Sequence, residues 1–129
     1  GAMGLAVELV RQREAFDQQV SNFQGVRWMI ADMAIQTEAA RSLVYRAAAM
    51  VDDGISGKEL AQAAAIAKAQ ATDTAMAVAT DAVQLFGAAG ISNSYPINRY
   101  FRDAKVLQIV EGTNQIQRNI IANEIIGRN

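Results

Sequence analysis

The sequence predicts an all-α protein: an antiparallel, up-and-down four-helix bundle with one additional short helix. Three observations carry this. Alanine, a strong helix former, is abundant. Apolar residues recur at steps of three and four over two long stretches. Pro96 is the only proline, and the alternation of a β-strand is rare.

The elements follow in order. The opening "GAM" (Gly1–Met3) reads as a protease-cleavage scar left by an expression tag and is set aside, so the domain is read from Gly4. "GLAVELVRQ" is a short apolar helix. "REAFDQQVSN" has weak periodicity and reads as a connection, with Ser21 or Asn22 placed to cap the next helix. From Phe23 to Val51 the pattern is helical, with Met29, Met33, Leu43, Ala47 and Met50 on one stripe. "DDGISG" breaks it, with Gly54 and Gly57 as stop and turn. A second long helix runs from Lys58 to Phe86. Its stripe is Leu60, Ala64, Ala67, Ala71, Val78, Ala82 and Leu85, small enough for a close antiparallel partner. "GAAGISNSYP" is a loop, "INRYFRDAKVL" a short helix, and "NQIQRNIIANEII" a last helix. Thr113 is its expected N-cap, and Ile116, Ile120 and Ile121 are its expected inward face.

Composition narrows the chemistry. The chain has 129 residues, 51% of them hydrophobic, and a formal net charge of −1. No basic excess calls for nucleic acid or a membrane surface. No apolar run approaches the roughly 20 residues of a membrane span. There is no cysteine and no histidine, which excludes disulfides, thiolate nucleophiles, Cys/His metal sites and histidine acid–base chemistry. Proton transfer falls to Asp, Glu, Lys or Tyr.

Glu111 stands at a break, "QIVEGTNQ". Spacing alone reads it as an acid at a helix N-terminus, favoured by the dipole. As a base it would need desolvation, which Ile109 and Val110 could supply, and Gly112 would admit a close approach. "QLFGAAG" (Gln84–Gly90) reads as a helix end and turn, or as a backbone surface beside a cofactor. It does not follow a strand, so it is no dinucleotide fingerprint. Arg11, Arg13 and Phe16 could grip a phosphate and stack on a ring, though a solvated helix end is the plainer reading. "RDAK" (Arg102–Lys105) reads as an ion-pair set on a helix face. Met33, Met50 and Met76 read as core.

"ATDAVQLFGAAG" (Ala79–Gly90), followed by "YPINRYFRDAKVLQIVEGTNQIQR" (Tyr95–Arg118), closely resembles the C-terminal domain of the acyl-CoA dehydrogenases. The family pattern runs "ATDAVQ-x-FGG-x-G", "YP", "RDAK", "YEGT-x-QIQR", and order and spacing agree throughout. "REAF" and "VRWMIADMAIQTEAAR" resemble preceding family segments, so residues 4–129 read as that domain. The resemblance implies an FAD-dependent dehydrogenation of an acyl-CoA to the trans-2-enoyl-CoA. Glu111 would be the base for the α-proton, and Gly112 would lie by the thioester. Thr113 and Gln115 would contact the FAD of their own subunit. Arg13 and Phe16, with Gln84, Leu85, Phe86, Gly87 and Ala88, would reach the FAD of a neighbour. It further implies a homodimer or homotetramer, no metal, and an electron-transfer flavoprotein as partner. The compartment would be the cytoplasm in a bacterium or the mitochondrial matrix in a eukaryote. Asp17 and Ala88 replace family glycines, and Val110 replaces a common tyrosine. The alternatives are an acyl-CoA oxidase of the same fold and a non-catalytic helical interaction module.

Overall fold

The structure, a computed structural model, describes residues 1–127. Arg128 and Asn129, the last residues of the expected domain, lie outside the described residues. Five α-helices are present among the described residues: α1 (Ala2–Gln12), α2 (Gln24–Asp52), α3 (Gly57–Phe86), α4 (Pro96–Leu107) and α5 (Asn114–Ile126). The all-α bundle is therefore found, built from two long helices and three short ones.

α3 is the axis. Its alanines keep one whole side of it narrow, so α2 lies along it after the short turn, and α1, α4 and α5 also pack on it. Over Gly57–Ile91 an 18-residue window reaches a mean hydropathy of 1.3, long and apolar enough by length and composition to cross a membrane. The sequence holds no unbroken apolar run there, because alanine raises the mean while polar residues interrupt the run. Here the same helix is the shared packing surface of the other four. The expected stripe needs one correction. Ala64 is exposed, and Ala65 and Ala69 are buried in its place.

The turn after α2 is a Schellman motif. The Ile55 N–H reaches the Met50 carbonyl at 2.9 Å and the Gly54 N–H reaches Val51 at 3.0 Å, which satisfies carbonyls the helix leaves open. The main core joins Ala6, Val10, Met33, Val78, Ala82, Leu85, Phe86 and Ile97. Met33 and Ile97 are fully buried, each worth about 1.5–3 kcal/mol of apolar burial. Met50 is buried too, and Met76 half-buried.

Two local expectations change. "REAFDQQVSN" holds a small hairpin, β1 (Glu14–Ala15) against β2 (Gln18–Gln19), and then a 3-10 turn over Val20–Asn22. Ser21 and Asn22 lie in that turn and cap nothing. α2 begins after Phe23, whose side chain makes no capping bond. "RDAK" forms no ion pair among the described residues. Ala104 is buried, and Lys105 instead donates to Gln108 Oε1 at 2.9 Å.

Candidate functional site

Glu111 does not open a helix. It lies in the loop between α4 and α5 with φ 54°, followed by Gly112 with φ 84°. A glutamate in the left-handed region is uncommon and persists where the surroundings hold it, whereas Gly112 adopts its φ without strain. Gln117, buried on α5, supplies part of that hold. Its Nε2 donates to the carbonyls of Glu111 at 3.4 Å and Gly112 at 3.3 Å. A Cβ on residue 112 would come within 2.8 Å of that same nitrogen, so a larger residue would push the Gln117 amide aside and would also take a φ that favours glycine. Thr113 is the N-cap as expected, its Oγ1 accepting from the Ile116 N–H at 3.3 Å.

A polar cluster on α3 anchors the base of this loop. Asp73 Oδ1 accepts from Gln108 Nε2 and Asn114 Nδ2, each at 2.7 Å. Asp73 Oδ2 accepts from Arg118 Nη2 at 2.6 Å. Asn114 Oδ1 accepts from Lys68 Nζ at 2.7 Å and Thr72 Oγ1 at 2.9 Å. Burial works against the charge on Asp73. The hydrogen bonds from Arg118, Gln108 and Asn114, with the guanidinium charge, outweigh it and hold the carboxyl below its usual range.

The inward face of α5 differs in part from the expected one. Asn114 and Gln117 are buried, while Ile116 is 50% exposed and Ile120 and Ile121 only half-buried. Asn114 faces the polar side chains of α3, and Gln117 turns its amide to the carbonyls of the loop. Periodicity locates apolar positions but cannot say which face a partner takes. Asp73, Gln108, Asn114 and Gln117 were thus missed as site residues. The available signal was the amide pair of "NQIQ", spaced to share one helix face.

The other sequence-derived residues form a second cluster. Arg13 Nη1 donates to the Phe86 carbonyl at 3.3 Å and lies beside Gly87. Gln84 and Ala88 are exposed there, and Leu85 and Phe86 belong to the core. Phe16 and Asp17 occupy the hairpin tip with φ 54° and 60°, both left-handed as a two-residue hairpin loop of this twist demands. Asp17 adopts the conformation that a glycine would take there. Phe16 is 88% exposed and packs edge-on against Phe23.

The two clusters are not brought together. Asp73 and Phe86 are thirteen residues apart on α3, about 20 Å along the axis. Ile109 and Val110 are exposed, as is Glu111, so the expected desolvation is not supplied by their own chain.

A family model described as "Acyl-CoA dehydrogenase, C-terminal domain" matches residues 1–126. This chain belongs to the acyl-CoA dehydrogenase family.

Among acyl-CoA dehydrogenase relatives, the cyclohexane-1-carbonyl-CoA dehydrogenase of Geobacter metallireducens is 46% identical over 126 residues, covering 98% of this chain and 32% of that protein. The solved butyryl-CoA dehydrogenase of Megasphaera elsdenii superposes with a TM-score of 0.93 at 44% identity, over 97% of this chain and 32% of that one. A structure described as the FAD complex of PigA superposes at 0.91 with 28% identity, over 99% and 33%. The chain thus spans about a third of the length of the relatives it matches.

Proposed function

We propose that this chain is the C-terminal domain of an FAD-dependent acyl-CoA dehydrogenase, with Glu111 as the base that removes the α-proton of the acyl thioester. One observation carries the reading. The chain holds a carboxylate in a strained, braced backbone at the mouth of a loop, where strain without a role would be expected to relax. The α-proton passes to a Glu111 carboxylate oxygen. The electrons of that C–H bond form the new C=C bond as the β-hydrogen departs as hydride. FAD, when bound, supplies the hydride acceptor. The Glu111 backbone N–H has no hydrogen-bond acceptor among the described residues. It is free to donate to a thioester oxygen and stabilise the charge that develops there.

The residues fit a flavin dinucleotide. In the first turn of α5 the Asn114 and Ile116 N–H groups are already bonded, and the Gln115 N–H is left open beside the Thr113 hydroxyl at the positive end of the helix dipole, where a pyrophosphate is favoured. Gly87, with φ 63°, leaves open backbone beside Arg13. The family resemblance assigns these two surfaces to two different flavins, and their separation of about 20 Å along α3 is compatible with that. A second copy of the chain then completes each site, in a homodimer or a homotetramer. Electrons would leave to an electron-transfer flavoprotein.

The isolated chain is expected to be inactive, because its Glu111 is exposed and not desolvated. Added FAD and a saturated acyl-CoA should show no flavin bleaching, and stoichiometric bleaching would overturn this. In the complete enzyme, Glu111→Gln should abolish turnover while FAD stays bound. Near-normal turnover would remove Glu111 from the role.

A further inference from the structure

We propose that Asp73, remote in sequence on α3, is a positioning residue for Glu111, clamping both ends of the loop that carries it. The proposal rests on the reading of Glu111 as the base. The loop is pinched at its foot, where the Asn114 N–H meets the Gln108 carbonyl at 3.0 Å. The side chains of the same two residues converge on one oxygen of Asp73, each at 2.7 Å. The other oxygen holds Arg118, whose Nη1 binds the Asn114 carbonyl at 3.1 Å. Lys105 steadies Gln108 from α4, and Lys68 and Thr72 steady Asn114 from α3. Between the clamped ends lie the left-handed pair Glu111 and Gly112.

Asp73 is the one member that touches both ends. It takes three donors on two oxygens, a setting that suits an ionised carboxylate, which only accepts. Asp73→Asn keeps the size but turns one acceptor into a donor, so at least one of Gln108, Asn114 and Arg118 loses its partner. The loop is then free to relax from its strained backbone, and the carboxylate moves. A displacement of about 1 Å in a reacting group costs on the order of 100-fold.

The test uses the complete FAD-loaded enzyme carrying this domain, with turnover counted per bound flavin. Asp73→Asn should lower kcat on the order of 10- to 100-fold with little change in KM. Asp73→Glu, which keeps the carboxylate one methylene further out, should recover part of the loss. Hydrogen exchange gives a readout independent of catalysis. In Asp73→Asn, the hydrogen-bonded amides of Ile109, Val110 and Asn114 should exchange faster while those of α1 and α2 keep their protection. If Asp73→Asn folds poorly, Gln108→Ala removes one clamp donor, leaves the Asp73–Arg118 pair, and should give a smaller effect of the same kind. Unchanged kcat per flavin, or exchange that rises equally throughout the chain, would overturn the proposal. If Glu111→Gln kept its turnover, the base assignment would fall while the exchange result still reported on the clamp.

Discussion

Glu111 and Gly112 show what a short motif demands of a backbone. Both are left-handed, and Gln117 occupies the space a larger residue 112 would need. Gly112→Ala therefore faces a strained φ and displaces the Gln117 amide from the loop carbonyls. The expected loss of stability is about 1–3 kcal/mol, read as a shift in urea midpoint. A wild-type midpoint would mean that the loop adjusts freely. The motif "EGT" was legible as a break with a cap at Thr113. The left-handed turn was not, because nothing in the local sequence forbids Glu111 a helical φ. Part of what braces that conformation is Gln117, six residues on and one helix turn inside α5.

At the scale of elements, α5 is held to α3 by amides and charges where an apolar seam was expected. Asn114 is its centre. Asn114→Ala would leave Lys68 without its side-chain acceptor, Thr72 with only backbone carbonyls of α3, and Asp73 one donor short. We expect a cost of about 1–3 kcal/mol, measured by denaturant unfolding, and no change at all would show that the network adds nothing. The same network makes a pH prediction. Asp73 has a lowered folded pKa, so its contribution is fully present above the unfolded value of about 3.9. It is lost as pH falls through the lower folded value. Acid unfolding curves of the chain should be flatter below about pH 4 in Asp73→Asn than in the wild type; identical slopes would assign the acid response to other carboxylates. Helix existence was legible from periodicity, and so were the turns at Gly54 and Gly87. The inward face of α5 was not, since its isoleucines and its amides both recur at helical spacing.

Across the whole molecule, two surfaces with cofactor chemistry lie at separate levels of one helix. Large apolar residues are also left exposed, among them Trp28 and Ile35, two turns apart on α2, and Ile125 and Ile126 on α5. This is the pattern expected of a domain that meets other protein surfaces. If each flavin is shared by two copies, symmetry gives a sharp prediction. Arg13→Ala and Glu111→Gln enzymes should each be impaired, and co-assembled subunits should regain activity. A mixed dimer would carry one site with both defects and one with neither. Absence of complementation in verified mixed assemblies would place both surfaces at one flavin of a single subunit.

The sequence by itself determined the helical class, the order of the elements and the family, because alanine content, apolar spacing and a long run of matched motif residues are local properties of the chain. It also put a carboxylate, a glycine and a capping threonine in a row. The tertiary structure decided what holds that row in place. Asp73 lies 38 positions before Glu111, and nothing local links the two. Their relation arises only because α5 lies against α3 with its amides inward, and such cross-helix contacts depend on packing that a one-dimensional pattern does not encode.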